Sequence, residues 1–251
     1  MYHRIGDTSQ DRRYSVSPPR FEKQMQFLSD HGYHVASLEA FTKALEGLVS
    51  LPDNSVVLTF DDGFQETFEH AVPILKQFGY PATFFLVTGL VGKTNEWIEH
   101  RGYPTARLMG WEEAQRLKVE GFGLGSHTVS HPRLTEIDWV AARKEIEESK
   151  RRLEDRLGVP VQFFAYPYGL FDSCIRDLVR EAGYSAACST RAGFNTAEAD
   201  RFALRRLDIY GTDSTSTFGR NLLFGENRMT SNRLIGYYMR RMVARFVASR
   251  T

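Results

Sequence analysis

Short runs of β-branched and aromatic residues alternate with amphipathic stretches along most of the chain. The apolar runs fall at residues 55–60, 82–87, 122–125, 161–165, 184–188 and 202–209, each of a length that suits a buried strand. Helix-like stretches lie between them at 65–78, 111–119, 138–157 and 171–182, and another at 19–31 precedes the set. Stretch 138–157 sets Val140, Ile146, Leu153 and Leu157 among many charges, which predicts a surface helix with one buried stripe. Gly158 then sits where a C-terminal cap belongs. Pro73 inside 65–78 predicts a kink or a second helix start.

Alternating strands and helices predict an α/β fold, a parallel sheet with helices outside it, in a single domain. No internal repeat or Pro/Gly/Ser linker divides the chain. Six or seven strands without a glycine-rich dinucleotide loop predict a closed or nearly closed barrel, in which functional residues gather at strand ends. The net charge of +1 gives no global pull toward nucleic acid, so none is expected as a partner. No apolar stretch approaches the roughly 18 residues that would span a bilayer. The N-terminal stretch "MYHRIGDTSQDRR" has no apolar core of a secretory signal. A cytoplasmic location is the default expectation, and an exported one follows if a leader precedes this sequence. Cys174 and Cys188 do not fit a metal-binding pair and are expected to be buried thiols.

The first apolar run ends in two adjacent carboxylates and a glycine, Asp61, Asp62 and Gly63, within "VVLTFDDGF". Like charges that close repel, and burying either alone costs several kcal/mol, roughly, unless something compensates. A strand-ending turn is the plain reading, since Asp-Gly is common turn chemistry. After "GFGLG" comes "SHTVSH", with His127 and His131 four apart. On a helix that spacing puts two imidazoles on one face, but this stretch follows a strand and ends in Pro132, which predicts a loop or single turn. With Asp62 the pair makes a two-histidine, one-carboxylate set, the ligand count of a catalytic zinc or similar divalent ion with an open position. A 2+ charge would also remove the cost of clustering two carboxylates. The strand end "FFAYPYG", residues 163–169, reads as a tight turn. Such a turn can aim a backbone N–H, here that of Tyr168, at a developing oxyanion.

In that order and at that separation, "TFDDG", "SHTVSH" and "FAYPYG" resemble the motifs of the polysaccharide deacetylases, carbohydrate esterase family 4, over about residues 1 to 210. Further, "MYH" followed by "YSVSPPRFEKQMQFLSDHGYHVASLEAF" is similar to the branch acting on poly-N-acetylglucosamine exopolysaccharides. The resemblance implies a distorted (β/α) barrel of about seven strands over residues 1–220. It also implies metal-dependent removal of N-acetyl groups from N-acetylglucosamine-type units of a polysaccharide or lipid-linked glycan. Asp61 would be the catalytic base. Asp62, His127 and His131 would hold one divalent ion, zinc first, with cobalt, nickel or manganese as alternatives. The Tyr168 N–H would complete the oxyanion hole, with Tyr166 and Pro167 beside the substrate. Many members place a general-acid histidine near the C-terminus, but no histidine follows His131 here. The branch's N-terminal "YH" implies His3 in that role. Ala165 and Tyr166 stand where many members carry an arginine that holds the base, and Arg206, in "FALRRLDIYG", is the candidate to replace it.

The stretch "SNRLIGYYMRRMVARFVASR", residues 231–250, combines Leu234, Ile235, Tyr238, Met242, Phe246 and Val247 with five arginines. It predicts a basic amphipathic helix in a C-terminal extension, 221–251. Such a helix can pack over the barrel or make peripheral contact with an anionic membrane, at whose inner face a lipid-linked glycan becomes the better substrate. His31, His34, His70 and His100 read as structural or solvated. Two rivals stay open: a carbohydrate-binding barrel without chemistry, and the same fold deacylating peptidoglycan or a small amide. The intact Asp61, Asp62, His127 and His131 set argues against the first.

Overall fold

The computed structural model describes residues 1–7, 9, 11–101 and 104–227, so the basic stretch 231–250 lies outside the described residues. The first third of the chain forms β1 (Arg4–Ile5), β2 (Ser15–Val16), α1 (Pro18–Asp30), β3 (His34–Ala36), α2 (Leu38–Leu45), β4 (Ser55–Val57), β5 (Thr59–Phe60), α3 (Gln65–Phe78) and β6 (Thr83–Leu86). Then come α4 (Trp111–Val119), β7 (Gly123–Ser126), α5 (Trp139–Leu157), β8 (Phe163–Ala165), α6 (Ser173–Glu181), β9 (Ala186–Cys188) and α7 (Thr215–Phe224). The expected division between 220 and 221 falls inside α7.

β5 to β9 form one parallel sheet in chain order, the arrangement that strand–helix alternation requires. Single bridges extend it on both sides, Tyr2 to Phe60 and Cys188 to Leu204. The Ile209 N–H then donates to the Met1 carbonyl at 3.0 Å, so the last segment reaches back to the first. Seven strand positions thus curl into a distorted barrel. The expected strand at 202–209 needs correction, because among the described residues it makes one bridge and no ladder. Its N–H and carbonyl groups go by turns to Ala187, Ser189, Arg191 and Met1, as they must where one segment spans the gap between the two ends of a curled sheet.

Side chains alternate across the strands, as a pleat demands. Phe84, Leu86, Phe164 and Ala187 face the helices, where they join Phe68, Ala114, Ile146 and Val179 in the main core. Phe85, Phe163, Ala165, Ala186 and Cys188 face the interior, which α2 covers through Leu38, Phe41 and Leu45. On the helix side, Tyr2, Phe60 and Phe84 stack in a row with centroids 5.4 and 4.7 Å apart, and Phe122 meets Phe84 edge-on at 5.7 Å. Burying one such ring stabilises by about 1.5–3 kcal/mol, so this stack anchors the strand ends that carry the carboxylates. The interior is tight. A Cβ at Gly125 would collide with the Phe85 ring and lie 2.9 Å from the Phe163 carbonyl oxygen. Gly125→Ala is therefore expected to cost about 1–3 kcal/mol, seen in a thermal melt as a drop of several degrees.

Local signals account for most helix ends. Asp138 accepts from the Val140 and Ala141 N–H groups at 3.0 Å each, and Gly158 closes α5 in the left-handed region. The buried stripe of α5 is Ala142, Ile146, Ser149, Leu153 and Leu157. Val140 departs from its expected place there and is 61% exposed, because it lies one step off the 3–4 spacing of that stripe. α3 runs unbroken through Pro73, so no second helix starts there. Cys188 is buried as expected, but Cys174 is exposed, in the first turn of α6.

Candidate active site

β5 ends at Phe60, whose ring belongs to the helix-side core, so the next residue points into the barrel. Asp61 does so. By the same alternation Asp62 should turn outward, and its φ of 72° breaks the pattern. Both carboxylates line one cleft of about 340 Å³ at the ends of the strands. Each has its own partners, a guanidinium for Asp61 and two imidazoles for Asp62. Asp61 takes a bidentate pair from Arg206, Nη1 to Oδ1 and Nη2 to Oδ2, both at 2.7 Å. The Arg206 Nε donates to the Ser189 carbonyl at 2.8 Å and Nη1 also reaches Thr59 Oγ1 at 3.2 Å, so the guanidinium cannot swing away. Asp62 Oδ1 lies 3.5 Å from His127 Nε2 and 3.4 Å from His131 Nε2.

The two histidines sit on a loop rather than a helix. His127 follows β7 directly, and Thr128 and His131 have φ values of 68° and 61°. Asp62, Thr128, His131 and Tyr168 are the non-glycine residues with left-handed backbone among those described, and all four lie around this cleft. Each such conformation costs on the order of 1–3 kcal/mol and persists only where the surroundings over-determine it. His127 Nδ1 lies 2.7 Å from the Ala165 carbonyl, which places its proton on Nδ1 and leaves Nε2 with a lone pair. That lone pair faces His131 Nε2 at 3.2 Å. Two imidazole nitrogens and a carboxylate oxygen therefore converge, all buried, their ligand atoms within 4.8 Å of one another. The separations of 3.2, 3.4 and 3.5 Å match the edges of a tetrahedron whose bonds are about 2.0–2.1 Å, roughly 3.3–3.4 Å. A small divalent cation fits this donor set, with a fourth corner toward the cleft.

The charges follow the partners. Burial alone would raise the Asp61 pKa, but the Arg206 guanidinium, with His127 and His3 adding to it, outweighs burial and holds the carboxyl well below the ordinary range. Asp62 is also held down, burial being outweighed by the hydrogen bond with His127 and the nearness of the two imidazoles. Burial alone would lower His127, but its bond to Asp62 and the charges of Asp61 and Asp62 together exceed that penalty and raise it. His131 falls to about 3, through burial and then the neighbouring His127 charge. With the ion removed, His127 is therefore the first of the two imidazoles to take up a proton as pH falls. That proton must leave when metal binds. As pH falls below the raised pKa of His127, zinc affinity is expected to drop about tenfold per pH unit, with a slope of one rather than two. Chelator competition at several pH values between about 5 and 8 checks this, and a slope of two would mean that His131 protonates as well.

His3 lines the same cleft and packs edge-on against Tyr14, centroids 5.1 Å apart. Tyr168, φ 58°, packs edge-on against the His131 ring at 4.7 Å, with the Arg133 guanidinium 4.7 Å from its own ring. Of the two residues expected beside the substrate, Tyr166 lines the cleft. Tyr166 is fully buried, its hydroxyl donates to the Phe202 carbonyl at 2.9 Å, and its ring stacks on Phe171. Its hydroxyl is thus engaged, and it is as part of the cleft wall that Tyr166 borders the carboxylates. Pro167 is buried and is not among the residues that line the cleft. Several lining residues carried no sequence signal. Trp97 stacks on the His131 ring at 4.7 Å, and Tyr14 and Tyr210, edge-on to each other at 6.0 Å, line the cleft as well. None of the three aromatics lies in an α-helix or a strand, so periodicity has nothing to say about them.

Comparison with known proteins agrees with this geometry. The sequence model of a family described as Polysaccharide deacetylase matches residues 49–187. A poly-beta-1,6-N-acetyl-D-glucosamine N-deacetylase of Staphylococcus epidermidis is 25% identical over 212 residues, covering 81% of this chain and 71% of that protein. Among solved structures, the Streptococcus pyogenes deacetylase PplD in complex with acetate superposes with a TM-score of 0.77 at 26% identity, covering 88% of this chain and 96% of that one. IcaB from Ammonifex degensii shares the fold, with a TM-score of 0.76 at 24% identity over 89% of this chain and 94% of that one.

Proposed function

As the chain belongs to the polysaccharide deacetylase family, we propose that it hydrolyses the acetamide of N-acetylglucosamine-type units, releasing acetate and leaving a free amine. The observation that carries this reading is the division of labour between adjacent carboxylates, Asp62 toward two imidazoles and Asp61 toward a guanidinium. The deacetylase names of the staphylococcal relative and the streptococcal structure support it, as does the acetate bound to the latter. A poly-β-1,6-linked glucosamine chain is the substrate class we infer, free or still on its lipid carrier.

Asp62, His127 and His131 would hold the ion, and the 3.2–3.5 Å spacing of their donor atoms favours zinc over a larger cation. When bound, such an ion supplies a Lewis-acid centre that polarises the amide carbonyl and lowers the pKa of water toward about 7. Asp61 takes the proton of the attacking water. Each of its oxygens already accepts one N–H from Arg206 and keeps a second lone pair for that work. Its pKa, held down by Arg206, keeps it ionised and ready, yet too weak a base to retain the proton. The proton passes on to the departing amine, and His3, on the wall of the same cleft, is the donor we assign to that step. The Tyr168 backbone N–H is assigned to the oxyanion, a contact worth on the order of 3 kcal/mol.

Acetate release from defined N-acetylated oligosaccharides tests the reading. Release from β-1,6-linked oligomers ahead of β-1,4-linked ones or peptidoglycan fragments is expected. Release from none of them would sink it.

A further inference from the structure

The acids of α5 divide into two kinds. Glu147 pairs with Arg143, Glu148 with Arg152, Glu154 with Lys150 and Asp155 with Arg151, all at helical spacing on the same face-to-face pattern. Glu145 is different. Among the described residues no lysine or arginine pairs with it, and its carboxylate is turned onto the loop between the two candidate ligand histidines. Oε2 accepts from the Val129 and Ser130 N–H groups at 2.8 and 2.9 Å, and Oε1 accepts from Ser130 Oγ at 2.7 Å.

That loop needs holding, since Thr128 and His131 both have left-handed backbone. From the sheet side, the Thr88 and Gly89 N–H groups donate to the Thr128 and Val129 carbonyls at 3.0 and 2.8 Å. Within the loop, the His131 N–H donates to Thr128 Oγ1 at 2.9 Å. These bonds satisfy the carbonyls and the last amide. The two amides in the middle go to Glu145. A carboxylate with three donors in fixed directions makes charge-assisted bonds, which resist bending more than neutral ones.

We propose that Glu145 is a positioning residue, whose carboxylate fixes Val129 and Ser130 and so sets His127 and His131 at the separation one metal ion requires. The proposal rests on the metal reading above. Glu145 touches neither ion nor substrate, so its loss should appear first in metal affinity.

The test uses the full chain, stripped of metal and titrated with zinc against a chromophoric chelator, then loaded with cobalt for its visible spectrum. Glu145→Ala is expected to weaken zinc binding about 10- to 100-fold, the usual effect of losing a group that orients ligands, and to alter the cobalt bands. Glu145→Gln keeps one acceptor oxygen and should lose less, about 3- to 10-fold. Glu148→Ala removes a surface pair on the same helix and should leave both readouts unchanged. If Glu145→Ala does not fold, Glu145→Gln decides alone. Wild-type affinity and spectrum in the folded Glu145 variants would overturn the proposal, and His127→Ala would by its own loss of zinc show that the metal reading stands. Zinc binding that His127→Ala leaves unchanged would instead overturn the metal reading itself.

Discussion

Asp61→Asn is expected to lower kcat by roughly 10²- to 10⁴-fold, the range for removing a general base, while zinc stays bound within a few-fold of wild type. The asparagine keeps the shape of the side chain and loses the lone-pair basicity that takes the proton from water. Asp61 faces Arg206 and not the imidazole pair, so the donor set of Asp62, His127 and His131 survives the change. The substitution also leaves the Arg206 guanidinium buried opposite a neutral amide, and thermal unfolding measured alongside shows how far the fold is affected. Activity is then compared well below the melting point. A rate close to wild type in a folded, zinc-loaded Asp61→Asn protein would mean that another group is the base.

The second large effect is on stability. Arg206→Met removes the partner of a carboxylate that is only 2% exposed. Breaking a buried pair from one side costs about 3–5 kcal/mol, because the remaining charge stays desolvated. At roughly 2–4 °C per kcal/mol for a chain of this size, Tm should fall by about 6–20 °C. The pH dependence should change sign as well. In the wild type the depressed Asp61 pKa contributes stability that is present above the unfolded carboxylate value, and it is lost only in strong acid, below any working pH. Without Arg206, burial becomes the larger influence and pushes the Asp61 pKa up. The variant then recovers stability as pH falls from 8 toward 5, since protonation removes the unpaired charge. Melts at both pH values check this. Equal Tm for variant and wild type at pH 8 would show that the pair contributes nothing. A double change, Asp61→Leu with Arg206→Met, should be less harmful than Arg206→Met alone.

How much of this could be read from the chain depends on whether the cause is local. Helix α5 was legible because its boundaries are chemical: Asp138 caps one end and Gly158 turns the other. Its exposed Val140 was misplaced because one apolar residue near a helix start satisfies several phases of a loose stripe. The segment 202–209 has the composition of a strand, yet its backbone partners lie on two different edges, and composition carries no information about partners. Helix α2 went unread although Ser37 caps it, accepting from the Ala40 N–H at 3.0 Å, because eight residues are too few to show a period. At the site, Asp61, Asp62, His127 and His131 stand out because two carboxylates at a strand end and two imidazoles four apart need a chemical reason. The left-handed backbone at Asp62 that aims both acids into one cleft is invisible in a non-glycine residue. The contact between Arg206 and Asp61 spans 145 residues, so no local pattern shows it, and Arg206 was a candidate to hold the base only through the family resemblance. Tyr166, in the third motif, lines the cleft, but the bond of its hydroxyl to Phe202 and the stacking of its ring on Phe171 join segments far apart in the chain and left no mark in the sequence.

One titration bears most directly on the central claim, that a single divalent ion held by Asp62, His127 and His131 works with Asp61 on an acetamide. Metal-stripped protein, incubated with an N-acetylated oligosaccharide, is supplied with zinc in steps while acetate is followed. The rate should start near zero and saturate at one zinc per chain, with no recovery in His127→Ala. Full acetate release before any metal is added would contradict the account.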